Sequence, residues 1–186
     1  MTDDDALDRS LMARLASGET AALGELYMRH AQPVLRFLTR TLRDTATAED
    51  LCQEVFLTLP DAARRYTHQG KLRSWILGIA AKKAQGWRRR QWVRSRILGT
   101  LGLGSESSTA SMPEHGQRDA MEGAFDQLPH ELREVLVLQV GEGLSGAQIA
   151  EVLGISHGAT RVRLHRARQR LAELLEAAGV TSGHKR

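Results

Sequence analysis

The chain has 186 residues, 41% of them apolar and only 4% aromatic, with a net charge of +4. That length suits one domain or two small ones. The lone Cys52 excludes an internal disulfide and a cysteine-rich zinc site, no apolar run approaches the ~20 residues that span a bilayer, and the polar start MTDDDALDRS is unlike a secretion signal, so a cytoplasmic protein is expected.

In chain order, Leu7, Leu11, Met12 and Leu15 predict a short amphipathic helix over Asp5–Ala16, broken by Ser17-Gly18. A longer pattern over Thr20–Arg43 puts Leu23, Leu26, Tyr27, Val34, Leu35, Leu38 and Leu42 on one stripe, with Pro33 expected to kink it or mark a joint. Thr47 is the expected cap of the next helix, with Asp50 three residues on. Leu51, Val55, Phe56 and Leu59 face its core side, while Glu49, Asp50, Gln53 and Glu54 make an acidic, amide-bearing edge. Pro60 predicts a bend, and the helix should end near Arg65.

Tyr66-Thr67-His68-Gln69-Gly70 reads as a loop, and Lys71 to Arg96 as a long basic helix. Its apolar face is Leu72, Trp75, Ile76, Ile79 and Ala80; Lys82, Lys83, Arg88, Arg89 and Arg90 cover the remainder, with Trp87 and Trp92 among the charges. Cations interleaved with aromatics suit phosphate contact plus stacking on unpaired bases. Residues 97–117 are rich in Gly and Ser and lack a sustained period, so they read as a flexible linker. A short helix over Asp119–Leu128 follows, and Pro129 starts another, whose Leu132, Val135, Leu136, Leu138 and Val140 are expected to pack inward.

Leu144 to Arg170 reads as a helix-turn-helix. Ser145 caps the first helix, Ile149, Ala150 and Leu153 recur at helical spacing, Gly154 ends it in a tight turn, Ile155 plugs the turn, and Ser156 caps the second helix. That helix carries Arg161, Arg163, Arg166, Arg168 and Arg170, with no acid between Ser156 and Arg170. A small, polar first turn and a basic body suit the major groove of duplex DNA. A solvated amphipathic hairpin is the plainer alternative.

Charge is distributed unevenly. Up to Asp61, eleven acids face six arginines; from Ala62 to Ser105 there is no acid and there are eleven bases. Two separate basic blocks imply two nucleic-acid contacts. The seven histidines lack paired metal-ligand spacing, and neither a phosphate-cradling glycine loop nor a nucleophile constellation is evident. No catalytic residue, metal or cofactor is therefore assigned, and a non-enzyme is expected.

Three stretches together resemble the extracytoplasmic-function sigma factors of bacterial RNA polymerase: AEDLCQEVFL (Ala48–Leu57), KLRSWILGIAAKKAQGWRRR (Lys71–Arg90) and LPHELREVLVLQVGEGLSGAQIAEVLGISHGATRVRLHRAR (Leu128–Arg168). The resemblance implies an all-α chain of two small helical domains joined by a flexible linker. Residues 1–96 would bind polymerase and recognise and melt the minus-ten element. Residues 97–117 would link them, 118–178 would read the minus-thirty-five element through the helix-turn-helix, and 179–186 would be a tail. It further implies polymerase contact by Asp50, Gln53, Glu54 and Phe56. It assigns minus-ten DNA to Tyr66, His68, Lys71, Arg73, Lys82, Lys83, Trp87, Arg88, Arg89 and Arg90, and minus-thirty-five DNA to Ser156, His157, Thr160, Arg161, Arg163 and Arg166. The implied partners are core RNA polymerase, promoter DNA and an anti-sigma factor, which could hold the chain at the membrane without its being inserted there. A stress or envelope response is the implied setting.

The alternative is a stand-alone dimeric helix-turn-helix regulator, which leaves the block from Arg64 to Arg96 unexplained. A linker of ~21 residues averages only ~25 Å as a coil, against ~70 Å between elements two duplex turns apart. Without polymerase to stretch it, the two domains should tumble or close on each other, and the free chain should bind promoter DNA weakly.

Overall fold

The computed structural model describes residues 3–67, 71–100 and 116–180, and among these it contains nine α-helices and no strand. They are α1 (Asp3–Ala16), α2 (Ala21–Leu42), α3 (Thr45–Leu57), α4 (Leu59–Ala63), α5 (Leu72–Thr100), α6 (Gly116–Asp126), α7 (His130–Leu136), α8 (Gly146–Leu153) and α9 (His157–Ala177). A π-helical turn, Val137–Gly141, prolongs α7.

The N-terminal half forms around α2, whose Ala22, Leu26, Val34, Phe37 and Leu38 are buried against α1, α3 and α5. Asp8 ties α1 to this helix. Its carboxylate accepts from Arg29 Nε at 3.0 Å and lies 3.0 Å from His30 Nε2. Pro33 does not end α2, because a proline removes one ladder bond while the flanking stripe stays packed. The cap of α3 is Asp44 rather than Thr47. The Asp44 carboxylate accepts from Thr47 N at 3.1 Å and from Thr47 Oγ1 at 2.7 Å, so the helix starts three residues earlier. Pro60 sits in the first turn of the separate short helix α4, where its missing N–H is not needed. Cys52 is buried, and burial pushes its thiol pKa up.

In the C-terminal half, α7 and α8 pack against α9 over Leu128, Val135, Leu138, Ile149 and Leu164. Val140, expected inside, is 80% exposed. The wider π turn changes the helical phase at this point and turns Val140 outward. Helix α5 runs to Thr100 and α6 starts at Gly116, so both extend past the expected linker bounds, since Ile97 to Thr100 holds no proline to stop the helix. The remainder of the expected linker and the tail beyond Val180 lie outside the described residues.

The halves are closed on each other. Helix α2 packs on α7 and its π turn, and α5 packs on α8, where a β-carbon at Gly78 would lie 3.5 Å from Val152 O. Arg133, buried, donates to the carbonyls of Phe125, Asp126 and Leu128 at the end of α6 and reaches Thr41 O of α2 at 3.3 Å. Arg43 closes the same seam through Asp126 at 2.9 Å.

Candidate nucleic-acid interface

The helix-turn-helix is built by its caps. Ser145 Oγ accepts from Gln148 N at 3.3 Å and Ser145 N donates to Gln148 Oε1 at 2.9 Å, a reciprocal capping box. Gly154 takes the left-handed conformation (φ 63°) that ends α8, and Ser156 Oγ accepts from Ala159 N at 3.1 Å to start α9. Ser156, His157, Gly158, Arg161, His165 and Arg166 are exposed along one side, with Val162 49% exposed among them. Arg161 and Arg166 have no hydrogen-bond or ionic partner among the described residues, so their guanidinium groups are available to phosphates.

Two sequence candidates are engaged within the fold instead. Thr160 is fully buried and its hydroxyl donates to Ser156 O at 3.2 Å, so it holds the first turn and cannot meet a base edge. Arg163 is half-buried and lies 3.4 Å from Glu131.

The second basic surface is α5. Lys71, Lys82, Arg89 and Arg90 are exposed. Lys83 reaches Glu54 at 3.3 Å across the α3–α5 groove. Tyr66 packs edge-on against Trp75 with ring centroids 4.8 Å apart, and burial pushes its phenol pKa up. Trp87 is half-buried against the core rather than free to stack. His68 lies outside the described residues.

Arg73 and Arg88 point into the seam. Arg73 donates to Glu142, and Arg88 Nη1 donates to His130 Nδ1. Arg88, His130, Glu131 and Arg163 share a cleft of about 350 Å³ with Lys82, Arg89 and Trp92. Burial, then the cations Arg88, Arg133 and Arg163, hold His130 down at about 3, so it is neutral and its Nδ1 accepts. Burial pushes Glu134 up to about 7 against the opposing pull of Arg88 and Arg163. The periodicity of the sequence signals neither this cluster nor the Glu142 contact, because each joins residues far apart in the chain.

A third surface lies on α3. Asp50, Gln53 and Glu54 are exposed on one edge, as the helical spacing implies. Phe56 is only 3% exposed and packs edge-on against Tyr27 at 4.9 Å, so it is core and cannot be a contact residue in this structure. The apolar groups that do face solvent nearby are Leu57 at 72% and Tyr27 at 43%. Leu57 lies off the core stripe, which was the one sequence signal for it.

The Sigma-70 region 2 family model matches residues 26–94, and the Sigma-70 region 4 model matches residues 118–171. The chain is 34% identical over 165 residues to the RNA polymerase sigma factor CarQ of Myxococcus xanthus, covering 88% of this chain and 95% of that one. It is 32% identical to the ECF RNA polymerase sigma factor SigD of Mycobacterium tuberculosis, over 91% of this chain and 84% of that one. Among solved structures, CnrH in complex with the cytosolic domain of CnrY is 28% identical with a TM-score of 0.67, covering 92% of this chain and 98% of that one. The sigma factor RpoE of Bartonella quintana, in complex with the anti-sigma factor NepR, shares the fold with a TM-score of 0.66 at 22% identity, over 84% of this chain and 98% of that one.

Proposed function

The chain belongs to the extracytoplasmic-function sigma factors of bacterial RNA polymerase, and on that premise we propose how its surfaces divide the work of promoter selection. It is an RNA polymerase sigma factor, which directs the core enzyme to specific promoters for transcription initiation. The role is non-enzymatic: polymerase supplies the chemistry and this chain the address.

The C-terminal domain, residues 118–178, reads the minus-thirty-five element. Its α9 enters the major groove with Ser156 and His157 at base edges, and Arg161 and Arg166 on phosphates. The N-terminal domain, residues 1–96, handles the minus-ten element. Lys71, Lys82, Arg89 and Arg90 hold the displaced strand, and Tyr66 borders the loop that receives an unstacked base. Arg73 and Arg88 join them once the seam opens, Lys83 joins once Glu54 turns to the polymerase, and residues 97–117 supply the reach between the domains. Asp50, Gln53 and Glu54 dock on the polymerase, with Leu57 replacing Phe56 as the apolar contact. One observation carries this division: α5 and α9 each expose cations that have no partner among the described residues, while α3 exposes a carboxylate edge.

The chain acts with polymerase in the cytoplasm, in a stress or envelope response. The two solved relatives captured with CnrY and NepR support an anti-sigma partner for this chain as well. That partner could hold it near a membrane, since among the described residues no helix is long and apolar enough to cross one.

In-vitro transcription on a promoter library, with and without the protein, tests the proposal. Transcripts downstream of one enriched two-element motif, seen only with both core polymerase and this chain, are expected. Absence of dependent transcripts, with saturable binding of the protein alone to a palindromic duplex, would overturn it.

A further inference from the structure

The seam between the halves buries the carboxylate of Glu142, whose side chain is 1% exposed. Two arginines of the N-terminal half hold it. Arg36 of α2 donates through Nε at 3.4 Å and Nη2 at 3.5 Å to its two oxygens. Arg73 of α5 donates to the same group through Nη2, and its own Nε is buried with no partner among the described residues. Glu142 is placed there by its backbone: its N–H donates to Val137 O at 3.1 Å across the π turn, and Gly143 follows at φ 66°.

One guanidinium spanning both oxygens of a buried anion, a second bonded to one of them and a donor left over match the geometry in which arginines take a phosphate. We propose that Arg36 and Arg73 form a binding site for a nucleic-acid backbone phosphate, which Glu142 occupies as an internal stand-in while the halves are closed. The inference rests on the reading of α5 as a DNA-contacting helix, and it adds Arg36 of α2, which no sequence pattern singled out.

The exchange is physically balanced. A buried carboxylate loses its hydration, and its arginine partners offset that loss with little net gain. A phosphate arriving at the two arginines replaces the same bonds, and Glu142 returns to water as the seam opens. The closed chain therefore withholds Arg36 and Arg73 from stray nucleic acid, while Lys71, Lys82, Arg89 and Arg90 stay exposed. The apparent affinity of the free chain falls by the fraction of molecules that are open.

The test uses the full chain and a fluorescent, mixed-sequence single-stranded oligonucleotide read by anisotropy, with small-angle scattering to report closure. Glu142→Gln should enlarge the particle and tighten binding about tenfold. Gly78→Leu, which wedges α5 from α8 while leaving the arginines and Glu142 intact, should do the same, and it decides the matter if Glu142→Gln loses helicity. Adding Arg36→Ala to an opened variant should weaken binding and lower the salt slope by about one. The proposal is overturned if a natively helical Glu142→Gln chain stays closed, if opened chains bind no tighter, or if Arg36→Ala leaves affinity and slope unchanged. Promoter-dependent transcription with no gain in the opened chains would sink the phosphate site alone. A gain that needs Arg36, without any promoter-dependent transcript, would sink the sigma-factor assignment of surfaces alone.

Discussion

His130 and Glu134 sit one turn apart on α7 and titrate in opposite senses. The folded chain favours protonated Glu134, so the associated stability is complete below its ordinary 4.5 and lost as pH rises through about 7. It favours neutral His130, so that contribution is complete above 6.5 and lost as pH falls toward about 3. Between those ordinary values the two trends oppose, and stability should be nearly flat there. Glu134→Gln should therefore stabilise the chain by about 1–3 kcal/mol at about pH 8 relative to its effect at about pH 5, as read by urea unfolding at both. Equal effects at the two pH values would show that Glu134 does not carry the alkaline loss. On α9, Arg161→Ala or Arg166→Ala should weaken binding to minus-thirty-five duplex and flatten its salt dependence by about one unit for each phosphate no longer neutralised. Anisotropy titrations over a range of salt would detect this. Gln53→Ala with Glu54→Ala should lower affinity for core polymerase and leave that duplex binding unchanged; the reverse pattern would refute the docking edge on α3.

At the scale of the element, α8 has only eight residues, too few to be stable alone, so its two ends decide its geometry. The Ser145–Gln148 box satisfies two amides at one end, and the left-handed Gly154 turns the chain at the other. Ser145→Ala should cost about 1 kcal/mol and lower the melting temperature by roughly 2–4 °C. A melt unchanged by that substitution would mean the box adds nothing to the fold. The long helix α5 depends instead on burial of Leu72, Ile76, Leu77, Ala80 and Ala84. Its last exposed stretch carries Trp92, with the Arg96 guanidinium 4.9 Å from its ring centroid.

For the whole molecule, closure sets what can be reached. The seam uses Arg36, Arg43 and Arg73 on one side and Asp126, Arg133 and Glu142 on the other. Free in solution, the chain should scatter as one compact body with a radius of gyration near ~16 Å. Two separated halves would give a clearly larger value and would contradict a closed free state. Closure also bears on the two proposed DNA surfaces. The exposed face of α9 stays open, while Arg73 and Arg88 of α5 are engaged across the seam. On the proposed assignment, α9 can therefore meet DNA while the halves are closed, whereas Arg73 and Arg88 can do so only once they part.

By itself, the sequence determined the all-helical class, both caps and the turn of the helix-turn-helix, the acid-free α5, and the exposed edge Asp50, Gln53 and Glu54. These depend on residues within a few positions of one another, where helical period and capping chemistry operate. Local spacing misled at two points, and the family resemblance at two more, one of them Phe56, which the spacing had put on the core side. Asp44 outcompeted Thr47 as a cap, Val140 turned outward at a π turn, and Phe56 and Thr160 went into the interior. Tertiary structure alone decided the partners of Arg36, Arg73, Arg88 and Arg133, the displaced titration of His130 and Glu134, and the closure of one half on the other. Each of these joins distant segments through burial and charge, and a one-dimensional pattern carries no record of which distant side chains will share a low-dielectric seam.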